Sequence, residues 1–84
     1  MVNRDGFLNL LQSEISDLDR DIRFCNEEIN YHKIRKSQKG VKFKEKRLHN
    51  NYISYLKKRK KVDEKYKKTL HTLVAKAARL EANL

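Results

Sequence analysis

From Leu8 to His32 apolar side chains recur at alternating steps of three and four residues: Leu8, Leu11, Ile15, Leu18, Ile22, Cys25, Ile29 and His32. That spacing lines one narrow seam of an α-helix, the a/d stripe of a coiled coil, and such a seam is buried only against another helix. Asn3 or Asp5 can cap the helix start, because a short side-chain oxygen accepts from the free N–H groups of the first turn. The seam weakens after Ile29. Ile34 falls out of phase, and Lys33 to Gly40 carries little that could be buried. Within that stretch, Ser37-Gln38-Lys39-Gly40 is the turn signal, with Gly40 suited to the left-handed residue beyond a helix end.

A second stripe runs Leu48, Tyr52, Tyr55, Arg59, Val62, Tyr66, Thr69 and Leu73, then Ala77, Leu80 and Leu84. It does not continue the phase of the first, whose extension falls on Lys36, Lys39, Phe43 and Lys46. A phase break at a turn signal predicts two helices rather than one rod, joined by the short connection usual between antiparallel neighbours. The expected fold is therefore all-α, an antiparallel two-helix coiled-coil hairpin that dimerises into a bundle. One domain spans 1–84, with helix 1 over about 5–35, the turn over about 36–40 and helix 2 over about 41–82. Folding the chain about residues 38 and 39 sets Leu18 opposite Arg59, Ile22 opposite Tyr55 and Cys25 opposite Tyr52. Arg59 can then lay its stem over Leu18 while its guanidinium reaches Asp17 or Asp21. In that register residues 71–84 overhang the start of helix 1.

Other apolar positions lie off these seams. Ile53, Leu56, Leu70, Val74 and Ala77 form an interrupted second stripe on helix 2, and Leu10, Phe24 and Tyr31 share a heptad position on helix 1. Aligned exposed apolar residues imply another surface to bury. With the overhang they define an expected oligomer or partner interface of Ile53, Leu56, Leu70, Leu73, Val74, Ala77, Leu80 and Leu84. A core this small rarely yields more than ~3–5 kcal/mol alone, which adds to the case for a homodimer.

Composition agrees with helix: the 84 residues include no proline and only two glycines, Gly6 and Gly40. No run approaches the ~18 apolar residues of a membrane span, and no apolar h-region follows the first residues as a secretory signal would. The lone cysteine has no disulfide partner and fits a reducing, cytoplasmic setting.

Charge adds a polarity along the chain. Residues 1–32 hold three basic against seven acidic residues, and residues 33–84 hold eighteen against four. Lys33, Arg35, Lys36, Lys39, Lys42, Lys44, Lys46 and Arg47 crowd the turn with Glu45 alone among them. A second run supplies Lys57, Lys58, Lys60 and Lys61. Clustered cations suit a polyanion, whose phosphates take the charges while counterion release supplies affinity. A solvated face, partly paired with acidic helix 1, is the bland alternative. Five consecutive basic residues, 57–61, surround a helix and cannot all face one groove.

Catalysis has little support. Cys25 and His32 lie two turns apart, ~10 Å, too far to share a metal. The sequence holds neither a Ser/His/Asp arrangement nor a glycine-rich phosphate loop, and a two-helix object offers little pocket. Cys25 reads as a small core residue, and His32, set opposite Glu45, as a polar pair at the end of the core. The acidic residues of helix 1 lack an EF-hand loop, and salt links within the chain explain them. The expectation is a non-enzymatic regulator with no cofactor, metal, small-molecule substrate or membrane attachment. It would self-associate and bind nucleic acid through the basic tip and helix 2 without strong sequence readout. An acidic protein surface is the other partner the charge would suit, and the alternative function is a coiled-coil protein-binding adaptor or inhibitor that docks on a larger protein machine through its apolar stripes.

Overall fold

The structure is a computed structural model, and it describes the backbone of residues 4–82 and the side chains of residues 6–80. Two helices make up the fold, α1 over Arg4–Lys36 and α2 over Phe43–Ala82. They pack as an antiparallel hairpin about 65 Å long and 18 × 15 Å across. The proposed cap at Asn3 and the side chain of Asp5 lie outside the described residues.

The turn forms where the glycine requires it. Gly40 has φ +88°, a conformation that costs a side-chain-bearing residue ~1 kcal/mol or more. The amide of Val41 donates to the carbonyl of Gln38 at 3.4 Å, so Gly40 holds the third position of a β-turn, where type II geometry needs positive φ. At the end of α1 the amides of Ser37 and Gln38 donate to the carbonyls of Ile34 and Arg35. The Ser37 hydroxyl adds a bond to the Lys33 carbonyl at 2.9 Å. Carbonyls that the helix end would leave unpaired are thereby satisfied.

The α1 seam is the one its spacing predicts. Leu11, Cys25 and Ile29 are buried, and Leu8, Ile15, Leu18, Ile22 and His32 are half-buried. The α2 seam is not. The buried residues there are Ile53, Leu56 and Leu70, and the half-buried ones, Arg59 aside, are His49, Lys60, Asp63, Lys67, Val74 and Ala77. They follow one another at steps of four and three, one residue out of phase with the stripe led by Leu48 and Tyr52. Leu48, Tyr52, Tyr55, Val62, Tyr66 and Leu73 are all exposed. Cys25 and Ile29 of α1 form one buried cluster with Ile53 and Leu56 of α2, so Tyr52 and Tyr55 are not the core partners of Cys25 and Ile22.

Side-chain chemistry explains the exchange. Lys60 and Lys67 interrupt the true seam, but a lysine can bury its stem and keep its ammonium at the edge. Lys67 reaches Asp19 at 2.5 Å and Lys60 reaches Glu64 at 3.8 Å. Tyrosines, whose hydroxyls need a partner or water, take the flank instead.

The register also shortens the overhang. Leu70 is buried and Val74 and Ala77 half-buried, so the segment from residue 71 to Ala77 lies in register with the start of α1. The helices have 33 and 40 residues, an excess of seven for α2 that amounts to ~10 Å.

Candidate nucleic-acid interface

An a/d seam has two flanks, and here they differ in chemistry. On one flank acidic α1 residues meet α2. Arg59 holds Asp21 through two hydrogen bonds, with Nε donating to Oδ2 at 2.9 Å and Nη2 to Oδ1. Its guanidinium carbon also lies 5.8 Å from the centre of the Phe24 ring. Further along, the Tyr66 hydroxyl donates to Glu14 at 3.2 Å, and the neighbouring negative charge of Glu14 raises the Tyr66 pKa. Tyr52 and Tyr55 stack at 6.0 Å between ring centres. Phe24, Tyr31, Tyr52, Tyr55 and Tyr66 remain exposed, giving this flank an aromatic edge.

The other flank carries lysines. A groove of about 630 Å³ runs between the helices, lined by Asn26, Ile29, Asn30 and Lys33 of α1 and by Lys57, Lys60, Lys61 and Glu64 of α2. Lys33 of the predicted tip and Lys57, Lys60 and Lys61 of the second basic run are thereby brought to one site, which their separation in sequence does not announce. Lys58 is exposed and is not among the residues lining this groove.

At the tip, Lys33, Arg35 and Lys36 end α1, Lys39 and Lys42 lie in the connection, and Lys44, Lys46 and Arg47 open α2. Among the described residues none of these eight takes part in an ion pair: Arg35 donates to Gln38 at 3.0 Å and Lys36 to Asn50 at 2.7 Å, both neutral partners. Three acids of α1 are engaged along the body instead. Asp17 pairs with Arg20, Asp19 with Lys67 and Asp21 with Arg59.

His32 closes the core beneath the tip, and its partner is His49 rather than Glu45. The two Nδ1 atoms are 2.7 Å apart, while His32 Nε2 lies 3.4 Å from Glu28. At that separation one of the two Nδ1 atoms donates and the other accepts. The rings of Tyr31 and Tyr52 stand edge-on to His32 at 5.1 and 4.7 Å.

Mid-hairpin, Asp21, Cys25 and Asp63 bring their donor atoms within 4.8 Å of one another. Asp63 Oδ2 is buried and receives no hydrogen bond from another described group. Burial, and then the hydrogen bond with Asp21, push the Asp63 carboxyl up to about 6. The bond with Asp63, and then the Arg59 guanidinium, lower the Asp21 pKa. Burial, followed by the charge of Asp21, raises the Cys25 thiol. Two carboxylates this close are best satisfied by sharing a proton, with Arg59 neutralising the remaining charge. The cluster thus works as a structural polar layer. Asp63 was legible only from its place in the interrupted stripe between Leu56 and Leu70.

Of the expected interface residues, Ile53, Leu56 and Leu70 are buried within the hairpin and unavailable to a partner. Val74 and Ala77 are half-buried, Leu73 and Leu80 are exposed, and Leu84 lies outside the described residues. The stripe that faces water is instead the one led by Leu48, Tyr52, Tyr55 and Val62. Among the described residues no helix is long and apolar enough to cross a membrane. Comparison of the chain with protein-family models, curated proteins and solved structures gives no match. The fold and charge distribution define a class: a helical hairpin with an uncompensated basic tip.

Proposed function

We propose that this hairpin is a non-enzymatic, cytoplasmic nucleic-acid-binding regulator that engages the phosphate backbone through its tip and helix 2, without strong sequence readout. One observation carries the reading: Asp17, Asp19 and Asp21 of α1 are paired along the body, while the eight cations from Lys33 to Arg47 have no acidic partner among the described residues. Unpaired cations release condensed counterions from nucleic acid when they bind it. The cations are spread over the end of α1, the connection and the start of α2 rather than along one recognition helix, which favours phosphate contacts over base contacts. The cytoplasmic location rests on the unpaired cysteine.

Fluorescence anisotropy with a labelled oligonucleotide, repeated across salt concentrations, tests this. Affinity should fall steeply with salt. Replacing Lys39, Lys42, Lys44 and Lys46 by Gln should flatten the slope by up to ~0.9 per lost duplex phosphate contact. Binding that is absent or independent of salt would defeat the proposal.

A second reading, self-association or docking on another protein, is favoured by the exposed stripe of Leu48, Tyr52, Tyr55, Val62, Tyr66 and Leu73. Such a stripe suits a homodimer formed on the aromatic edge, leaving the lysine flank open.

A further inference from the structure

We infer that the groove between α1 and α2 on the lysine flank is a track for a single-stranded phosphodiester chain. This inference rests on the nucleic-acid reading and locates its site.

Lys33 stands on one wall and Lys57 and Lys61 on the other, all three exposed. Lys57 and Lys61 are one helical turn apart, ~6 Å along the axis, on the order of the step between phosphates in an extended strand. Asn26 and Asn30, also one turn apart, add amide donors on the α1 wall, and buried Ile29 forms an apolar floor. Glu64 also lines the groove, but it is occupied by Lys60 at 3.8 Å. Lys33, Lys57 and Lys61 thus remain for a ligand, since none of them is in an ion pair among the described residues. A chain lying here is gripped from both sides through phosphates alone, so sequence matters little.

Duplex DNA fits this geometry poorly. Its major groove is ~12 Å wide and admits one helix, whereas the hairpin is 18 × 15 Å across and its lysines sit in the cleft between two helices. A duplex would rest on the rims and present few phosphates to the cleft.

The test compares an oligothymidylate of about twenty nucleotides, a duplex of about equal length and poly-glutamate as probes of the full chain at fixed salt. The groove variant carries Lys33→Gln, Lys57→Gln and Lys61→Gln. A control of equal charge carries Lys39→Gln, Lys42→Gln and Lys44→Gln, and circular dichroism checks that both remain helical. The wild type should favour the single strand over the duplex by about tenfold or more. The groove variant should lose that preference, with its salt slope on the single strand reduced by ~0.7 per lost contact, while the tip variant should weaken both ligands and keep the preference. A wild type that binds the duplex as well as the single strand, or a groove variant that behaves like the tip variant, overturns the groove while leaving the nucleic-acid reading standing. A wild type that binds neither nucleic acid, or only poly-glutamate, overturns both.

Discussion

Arg59 on α2 and Asp21 on α1 are joined by two parallel hydrogen bonds, one of them 2.9 Å from Nε to Oδ2, at the point where the seam loses its apolar character. The fork geometry matters more here than the charge. A guanidinium engages both carboxylate oxygens at once, whereas an ammonium offers a point charge on a flexible stem. Arg59→Lys should therefore lower the melting temperature although charge is preserved. Thermal denaturation followed by circular dichroism checks this. A lysine variant as stable as the wild type would reduce the pair to a generic surface attraction.

Asp63 provides the pH dependence. Its carboxyl is raised to about 6 in the folded hairpin from an ordinary value near 3.8, so the folded state holds the proton more tightly than the unfolded chain. Stability from this group is complete at about pH 4 and is lost as pH rises through about 6. The lowered carboxyl of Asp21 acts with the opposite sign, its contribution fading as pH falls below its ordinary value. Asp63→Asn mimics the protonated acid and donates to Asp21 at every pH. Relative to wild type it should gain on the order of 1–2 kcal/mol between about pH 4 and 7, once solvent screening is allowed for. Urea denaturation of both proteins across that range measures the difference. A constant difference would show that the two acids do not share a proton.

The seam assignment on α2 predicts an unequal pair of truncations. Leu56 is fully buried, and Leu56→Ala should cost ~2–5 kcal/mol through lost transfer energy and the cavity left behind. Val62, 67% exposed, should change stability by less than ~0.5 kcal/mol when cut to alanine. Chemical denaturation of the two variants decides which stripe α1 covers, and a reversed order would restore the alternative register.

The exposed stripe predicts an outcome of its own. If the aromatic edge mediates self-association, Tyr55→Glu with Val62→Glu should shift sedimentation velocity from dimer to monomer while the helical signal is kept, since neither side chain supports the hairpin core. A wild type that sediments as a monomer at high concentration would remove the dimer and leave the stripe to another protein.

Sequence alone determined the helical hairpin, the α1 seam from Leu8 to His32 and the turn at Gly40. Each is a local consequence: period and breakers are written along the chain, and the positive φ at Gly40 follows from the residue that tolerates it. The bond from Arg59 to an acid of α1 was also legible, because a long side chain reaches across the seam from either of two adjacent heptad positions. What α1 packs against on α2 was settled only by tertiary structure. Two apolar stripes run along α2 one residue apart, and the more continuous one, led by Leu48, Tyr52 and Tyr55, is exposed. The buried one is interrupted by Lys60, Asp63 and Lys67, which appear polar in sequence but are tolerable in place: the lysine stems pack while their ammonium groups reach Glu64 and Asp19, and Asp63 lies against Asp21 beside Arg59. The same offset brought Lys33, Lys57 and Lys61 to the walls of one groove and paired His32 with His49. Periodicity ranks faces by hydrophobicity, but which face is buried depends on partners that exist only once the second helix is in place.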